Sequence, residues 1–187
     1  MKVLVIIPAK LDSTRLEKKN IREINGKTLV EHSIEYALNS KNQIHVVVSS
    51  ESSEVMESFE GKYGDIVQFH NRDISLCGDV EVVDVYMSVL ADKPTVNYDL
   101  VVGLQPDNPN RWQTLDDCID YMLENNYDDL VTVNPEYKRS GSVRIFKYHY
   151  LKNGQVSKRL GCIMDSAIDI HTESDLNKTK LKMKNND

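Results

Sequence analysis

The chain has 187 residues, 40% of them hydrophobic and 28% charged, and a formal net charge of −6. That length suits one domain whose core can stand without disulfide or metal staples. Eight Gly and five Pro are too few for a linker-rich or disordered chain, and the acidic balance argues against a general nucleic-acid binder.

Residues 3–7 form a continuous apolar run that Pro8 ends. The run reads as a strand buried on both faces, and it is far too short for a membrane span or a signal-peptide core. A polar segment, 10–27, follows, with Asn25-Gly26 as a turn signal. Leu29, Ile34, Ala37 and Leu38 then share one helix face ending near Asn39, and Thr28 with Glu31 has the spacing of a capping box. A second buried strand is predicted over 44–48. The polar turn 49–53 supplies a serine cap for a helix reaching about Phe59.

A third strand is predicted over 65–69, and 71–78 reads as a loop. Residues 80–90 read as a helix offering Val82, Val83, Tyr86 and Leu90 to the core. Residues 99–104 form another β run, stopped by Gln105-Pro106. Leu115, Cys118, Ile119 and Met122 give 114–125 helical periodicity. Strands are predicted over 130–133, over 142–148 in an antiparallel excursion, and over 162–164 and 167–170. A terminal helix is predicted over 172–183. Lys178, Lys180, Lys182 and Lys184 near its end complement the helix dipole and read as a solvated surface. Trp112 and Tyr86 read as core or helix-face aromatics.

Strand–helix alternation implies βαβ units and a mostly parallel sheet, whose ligands sit beyond the carboxyl ends of the strands. The loops to inspect are 8–27, 49–53, 71–79, 105–111 and the turn around Asp169. Cys77, Cys118 and Cys162 are widely spaced and form no CxxC pair. They read as reduced, buried or semi-buried thiols of a cytoplasmic protein. HExxH, GxSxG and GxGxxG are absent.

The loop 10–19 gathers Lys10, Arg15, Lys18 and Lys19 with Ser13 and several free backbone N–H groups. Cations and exposed amides together are what a polyphosphate needs. The GxxxxGK[ST] spacing of a P-loop is absent, and on spacing alone an ordinary basic surface loop fits equally well.

The wider pattern resembles the cytidylyltransferases that activate acidic sugars. These are the CMP-N-acetylneuraminate synthetases, their pseudaminate and legionaminate relatives and, more distantly, the CMP-Kdo synthetases. Their signature, I-P-A-R-x-G-S-x-R-x-x-x-K-N followed by G-K-P-L, is similar to IPAKLDSTRLEKKN followed by Gly26-Lys27-Thr28-Leu29. VVVSSES over 46–52 resembles V-V-S-T-D-S, and RDISLCGD over 72–79 resembles R-P-x-x-L-x-x-D. LQPDNPNR over 104–111 resembles L-Q-P-T-S-P-L-R. SAIDIHTESDL over 166–176 resembles S-I-D-I-D-T-x-x-D-L.

The resemblance implies a single α/β domain over 1–187 with a GT-A-like, Rossmann-like, three-layer nucleotidyltransferase fold. It implies attack of an acceptor hydroxyl on the α-phosphate of CTP, with pyrophosphate leaving. Lys10 stands where the family has a triphosphate-contacting Arg, keeping the charge without the bidentate fork. Ser13, Arg15, Lys19 and Asn20 match the nucleotide loop, Arg72 a nucleotide-contacting Arg, and Gln105 a cytosine contact. Asp169 matches the first acid of D-I-D, and His171 replaces the second, a metal ligand. Asp107 matches the Mg²⁺-binding Asp of the Kdo enzymes.

The implied cofactor is Mg²⁺, with Mn²⁺ the alternative because a His ligand suits it better. The implied partners are CTP and a small acidic acceptor, with no nucleic acid or membrane.

Two departures stand out. Asp12 puts an acid near the expected triphosphate. The family's sugar-binding and dimerisation arm is largely deleted near 134–142, so a homodimer would need another surface. The expectation is therefore a cytoplasmic cytidylyltransferase of surface-polysaccharide synthesis. The alternative is a non-catalytic nucleotide-binding or partner-binding relative.

Overall fold

In a computed structural model of the chain, describing residues 1–93, 95–155 and 157–184, the β-branched runs become the centre of a seven-stranded sheet. Along the chain run β1 (Lys2–Pro8), β2 (Glu23–Ile24), β3 (Lys27–Thr28), α1 (Leu29–Leu38), β4 (Gln43–Ser50), α2 (Ser53–Tyr63), β5 (Val67–Asn71) and α3 (Val82–Ala91). Then come β6 (Leu100–Gly103), α4 (Leu115–Glu124), β7 (Asp129–Val133), β8 (Arg139–Lys147), α5 (Tyr148–Lys152), β9 (Leu160–Met164) and α6 (Glu173–Lys184). The sheet order is β5-β4-β1-β6-β8-β7-β9. Neighbours are parallel except at β8, which runs antiparallel to both β6 and β7.

Alternation along β1 explains the layers. Val3, Val5 and Ile7 enter one core with α1, α2 and α4, while Leu4 and Ile6 enter a second core with Tyr86, Val89 and Leu90 of α3 and Leu151 of α5. A third cluster joins Leu16, Ile24, Leu29, Ile170 and Leu176, seating α6 on the first loop. The chain leaves β1 toward β4 and β5, then returns to the other side of β1 as β6. This reversal opens a crevice at the carboxyl ends of β1 and β6.

Both helices beginning at a threonine are closed by reciprocal caps, Thr28 with Glu31 and Thr114 with Asp117. Asn25 and Gly26 have φ of 51° and 77°, the two left-handed positions of a hairpin turn between β2 and β3. The Asn-Gly signal marks the turn, but two-residue strands have no periodicity to reveal the hairpin. Helix α5 is likewise absent from the sequence-based expectation.

Several expectations are corrected. Residues 167–170 are not a strand. Their amides go to side chains and a loop carbonyl: Ala167 N–H to Asp165, Ile168 N–H to Asn110, and Ile170 N–H to the Asp107 carbonyl. Ser49 and Ser50 extend β4 rather than opening the turn, and Ser52 alone caps α2. Trp112 is in neither core nor helix. It is 59% exposed, with the Lys182 ammonium 5.8 Å from its ring centroid, whereas Tyr86 is buried. Cys162 is exposed, while Cys118 is buried and Cys77 half-buried, and all three are free thiols.

The β7–β8 end of the sheet is held by buried acids. Asp128 receives the Lys147 ammonium at 2.9 Å and both Arg159 donors at 3.0 and 3.1 Å. These partners hold its pKa down at about 2. An unfolded Asp titrates near 4, so this contribution to stability is complete above about pH 4 and is lost as pH falls toward 2. Asp128→Asn is therefore expected to be less stable than wild type at neutral pH, with the difference closing in acid. Urea unfolding across that window checks it, and an offset constant with pH would refute the assignment.

Candidate active site

Three loops meet at the crevice: the one after β1, the one after β5 and the one after β6. Together they line a cleft of about 220 Å³. Lys10, Ser13, Arg15, Lys19, Asn20, Arg72, Gln105 and Asp107 all line it. Asp169 and His171 do not, but they lie beside it through Asp107.

The first loop is pinned at both ends. Leu11 N–H donates to Glu51 Oε1 at 2.8 Å, and Asn20 Nδ2 donates to the Lys10 carbonyl at 2.8 Å. Leu16 and Asn20 are buried beneath it. The loop's cations divide into two kinds. Lys18 turns outward to Glu54 at 2.6 Å, and Lys19 Nζ meets Asp107 Oδ2 at 2.5 Å. Among the described residues the Lys10 and Arg15 side chains have no ion-pair or hydrogen-bond partner, so their charge is available to a phosphate. Asp12 is exposed and does not line the cleft, so the expected repulsion is reduced by its orientation.

Arg72 is buried, and burial lowers its pKa, yet a guanidinium stays charged. A hydrogen-bond chain holds it. Its Nε donates to Ser49 Oγ at 3.3 Å. Ser49 Oγ lies 2.9 Å from His70 Nδ1, and His70 Nε2 lies 3.2 Å from Asp92 Oδ2. The donors line up if neutral His70 accepts from Ser49 at Nδ1 and donates from Nε2 to Asp92. Burial lowers the His70 pKa and favours that neutral form. Sequence reasoning missed this chain because its members are far apart in sequence: the β4–β5 register sets Ser49 beside His70, and Asp92 reaches His70 from the C-cap of α3.

Gln105 follows β6 and has no side-chain hydrogen-bond partner among the described residues. Its carboxamide lies against Gly141 of β8, where any Cβ would overlap it. The overlapping atoms are the flexible end of Gln105, so Gly141→Ala is expected to displace that carboxamide at little cost in stability. If Gln105 contacts the cytosine, CTP affinity falls about tenfold. Equilibrium CTP titration beside thermal unfolding checks this, and unchanged affinity would remove Gln105 from base recognition.

Asp107, Asp169 and His171 each offer a ligand atom within 4.8 Å of the others. His171 Nε2 is 2.8 Å from Asp169 Oδ2. Asp107 Oδ1 and His171 Nδ1 are buried with no hydrogen-bond partner. Burial, then the Asp107 charge, hold the Asp169 pKa above the usual carboxylate range. Crowded acids and orphaned lone pairs fit a divalent cation. The two-carboxylate, one-imidazole donor set suits Mn²⁺ at least as well as Mg²⁺.

Two of the residues that assemble the trio, Asp165 and Ser142, lie outside every motif. Asp165 accepts from Trp112 N–H, Ala167 N–H and Ser142 Oγ. Asn110 Oδ1 and the Asp107 carbonyl hold the segment further on. Ile170, fully buried, drives its seating and leaves Asp169 and His171 on either side of it.

An order-reversing, mostly parallel sheet with a cationic cleft at its switch point is the Rossmann-like arrangement of nucleotidyltransferase folds. A CMP:2-keto-3-deoxy-manno-octonic acid synthetase solved with CTP matches the whole of both chains at a TM-score of 0.76 and 16% identity. A cytidylyltransferase from Leptospira borgpetersenii matches 96% of this chain and 85% of its own at a TM-score of 0.69 and 20% identity. At these identities the likeness is one of fold.

The chain itself belongs to the cytidylyltransferase family, whose model matches residues 4–166. A 3-deoxy-manno-octulosonate cytidylyltransferase of Chlorobium limicola is 30% identical over 71% of this chain and 51% of its own. A CMP-N,N'-diacetyllegionaminic acid synthase of Legionella pneumophila is 32% identical over 59% and 48%. A pseudaminic acid cytidylyltransferase of Campylobacter jejuni is 46% identical over 42% and 33%. The chain thus spans about half, or less, of the length of these curated relatives.

Proposed function

We propose that the protein transfers CMP from CTP to a small acidic acceptor, an acidic sugar, and releases pyrophosphate. The observation that carries this reading is the convergence of unpaired Lys10 and Arg15, braced Arg72 and open Gln105 on one cleft beside Asp107, Asp169 and His171. In the reaction the acceptor hydroxyl oxygen bonds to the α-phosphorus. The bond from that phosphorus to the β-bridging oxygen breaks, pyrophosphate leaves, and the hydroxyl proton passes to solvent.

Such transfers depend on positioning and charge neutralisation more than on covalent chemistry. Lys10, Arg15 and Arg72 offset phosphate charge. Ser13 and Asn20 order the loop around the phosphates, Gln105 meets the base, and Lys19 steadies Asp107. A divalent cation held by Asp107, Asp169 and His171, Mg²⁺ or Mn²⁺, supplies further neutralisation when bound.

On this reading residues 1–187 act as one cytoplasmic nucleotidyltransferase domain of polysaccharide synthesis. It needs no nucleic-acid or membrane partner. Any homodimer uses a surface other than the family's arm. The turn between β7 and β8, over 134–138, stands where that arm would branch. No described helix is long and apolar enough to cross a membrane.

The test is pyrophosphate release from CTP with Mg²⁺ or Mn²⁺ across a panel of acidic sugars that includes 3-deoxy-manno-octulosonate, pseudaminate and N,N'-diacetyllegionaminate. CTP binding without pyrophosphate release across the panel would replace this reading with a non-catalytic nucleotide-binding relative. His171 and the short β7–β8 turn are the observations that favour the latter.

A further inference from the structure

Ser49, His70 and Asp92 have the residue types and hydrogen-bond order of a hydrolytic triad. Ser49 is fully buried, however, so no substrate reaches its hydroxyl. The relay ends on Arg72 instead. Arg72 Nε donates to Ser49 Oγ at 3.3 Å, and Nη2 donates to the Ser49 carbonyl. Those two bonds fix the plane in which the guanidinium meets the cationic cleft that it lines. None of Ser49, His70 and Asp92 lines that cleft, so they act on it through Arg72.

A serine hydroxyl carries one proton. Ser49 can turn a lone pair to Arg72 only while a neighbour accepts that proton, and His70 Nδ1, 2.9 Å away, is placed to do so. Nδ1 must then be bare. Asp92 selects this tautomer, because its Oδ2 lies 3.2 Å from Nε2 and takes the ring proton there. The His70 side chain is 9% exposed and that of Asp92 66%, so the ring is sheltered and the balancing charge stays in water. Ser88 Oγ of α3, 3.4 Å from Nε2, fits the same arrangement.

A ring protonated on both nitrogens would donate from Nδ1. Ser49 Oγ would then accept from two donors, its own proton would lose its acceptor in a buried site, and a second cation would stand one hydroxyl away from Arg72. The charges acting on His70 are Asp92, which favours the imidazolium, and Arg72 and Lys93, which oppose it. The Lys93 ammonium is itself held by Gln68. Burial is the largest influence and holds the ring's pKa below the ordinary His value. The relay is therefore whole at neutral pH and is lost as pH falls through that lowered value.

We propose that His70 is a positioning residue for CTP: with Asp92 it sets the Ser49 hydroxyl as an acceptor for Arg72, and its protonation loosens Arg72 and weakens CTP binding. The proposal rests on the cytidylyl-transfer reading and adds a proton-dependent control to the same site.

CTP affinity is measured by calorimetry from about pH 7.5 to about pH 5.5 for wild type, His70→Ala and His70→Asn, with the His70 ring followed by NMR in the same buffers. The ionisation of CTP itself is common to all three and cancels in the comparison. Wild type is expected to lose about tenfold more affinity over that range than His70→Asn, with its midpoint at that of the ring titration. His70→Ala lacks the acceptor and is weakened about tenfold already at neutral pH, while His70→Asn, whose Oδ1 can stand in for Nδ1, regains most of that loss. Should His70→Ala not fold, wild type against His70→Asn carries the test. Equal pH profiles in those two overturn the proposal while CTP binding stands. If wild type binds no CTP, the cytidylyl-transfer reading falls, and the Arg72 Nε–H resonance decides His70 separately. Movement of that resonance with the ring titration upholds the relay, and indifference to it overturns the proposal.

Discussion

Asp169→Ala is expected to lower turnover at least a hundredfold while CTP binding largely persists. Asp169 lines the cavity beside β8 and completes the trio with Asp107 and His171, but it does not line the cationic cleft. Its loss removes a charge-positioning group from the reacting centre and leaves Lys10, Arg15, Arg72 and Gln105 in place. Removing one electrostatic element from such a centre costs about two to three orders of magnitude. Pyrophosphate release and equilibrium CTP binding, measured on the same preparation, separate the two effects. Turnover at the wild-type level would take Asp169 out of the site. A companion variant, His171→Asp, gives the trio a third carboxylate. It is expected to move metal preference toward Mg²⁺, since hard oxygen donors suit that ion.

Arg111→Met is expected to destabilise the fold by about 3 kcal/mol, the magnitude of losing one partner from a buried charged network. Arg111 Nη2 donates to the Gln105 carbonyl at 2.7 Å, and Nε donates to the Ser142 carbonyl at 2.9 Å. Its other contacts are Ser33 Oγ at 3.4 Å and the Tyr36 ring, whose centroid is 4.8 Å from Cζ. Burial lowers its pKa, opposed by Tyr36, Asp165 and Asp107, and the group remains a cation. It therefore ties the loop after β6 to β8 and to α1 at once. Methionine fills the volume but removes the donors to both carbonyls, leaving the Gln105 carbonyl with a long 3.4 Å contact from Asn108 N–H. Urea unfolding reads the effect. A loss under about 1 kcal/mol would mean that water replaces the guanidinium and that the loop is held by its backbone alone.

Much of the fold is legible in the residue pattern. The runs that form β1, β4 and β6 are buried on both faces, and such strands write their burial directly into sequence as unbroken Val, Ile and Leu. The Thr28–Glu31 cap is equally local, because donor and acceptor are three residues apart. The segment 167–170 misleads for the converse reason. It reads as a short strand, but its amides find Asp165, Asn110 and Asp107 instead of a neighbouring strand. Pattern reports which face is buried and is silent on what satisfies the backbone.

Residue pattern alone accounts for the doubly covered sheet, the cationic loop after β1 and the residue types that phosphate and metal chemistry need. Tertiary structure decided which of those charges are free. Lys18 and Lys19 are taken by Glu54 and Asp107, while Lys10, Arg15 and Arg139 have no partner among the described residues. It also decided that Asp107 meets Asp169 and His171, and that Asp92, His70 and Ser49 stand in line behind Arg72. The reason is range. Periodicity and capping act within a turn or two of the chain, whereas the strength of a charge in a site depends on partners that only the packed sheet brings within a few ångströms.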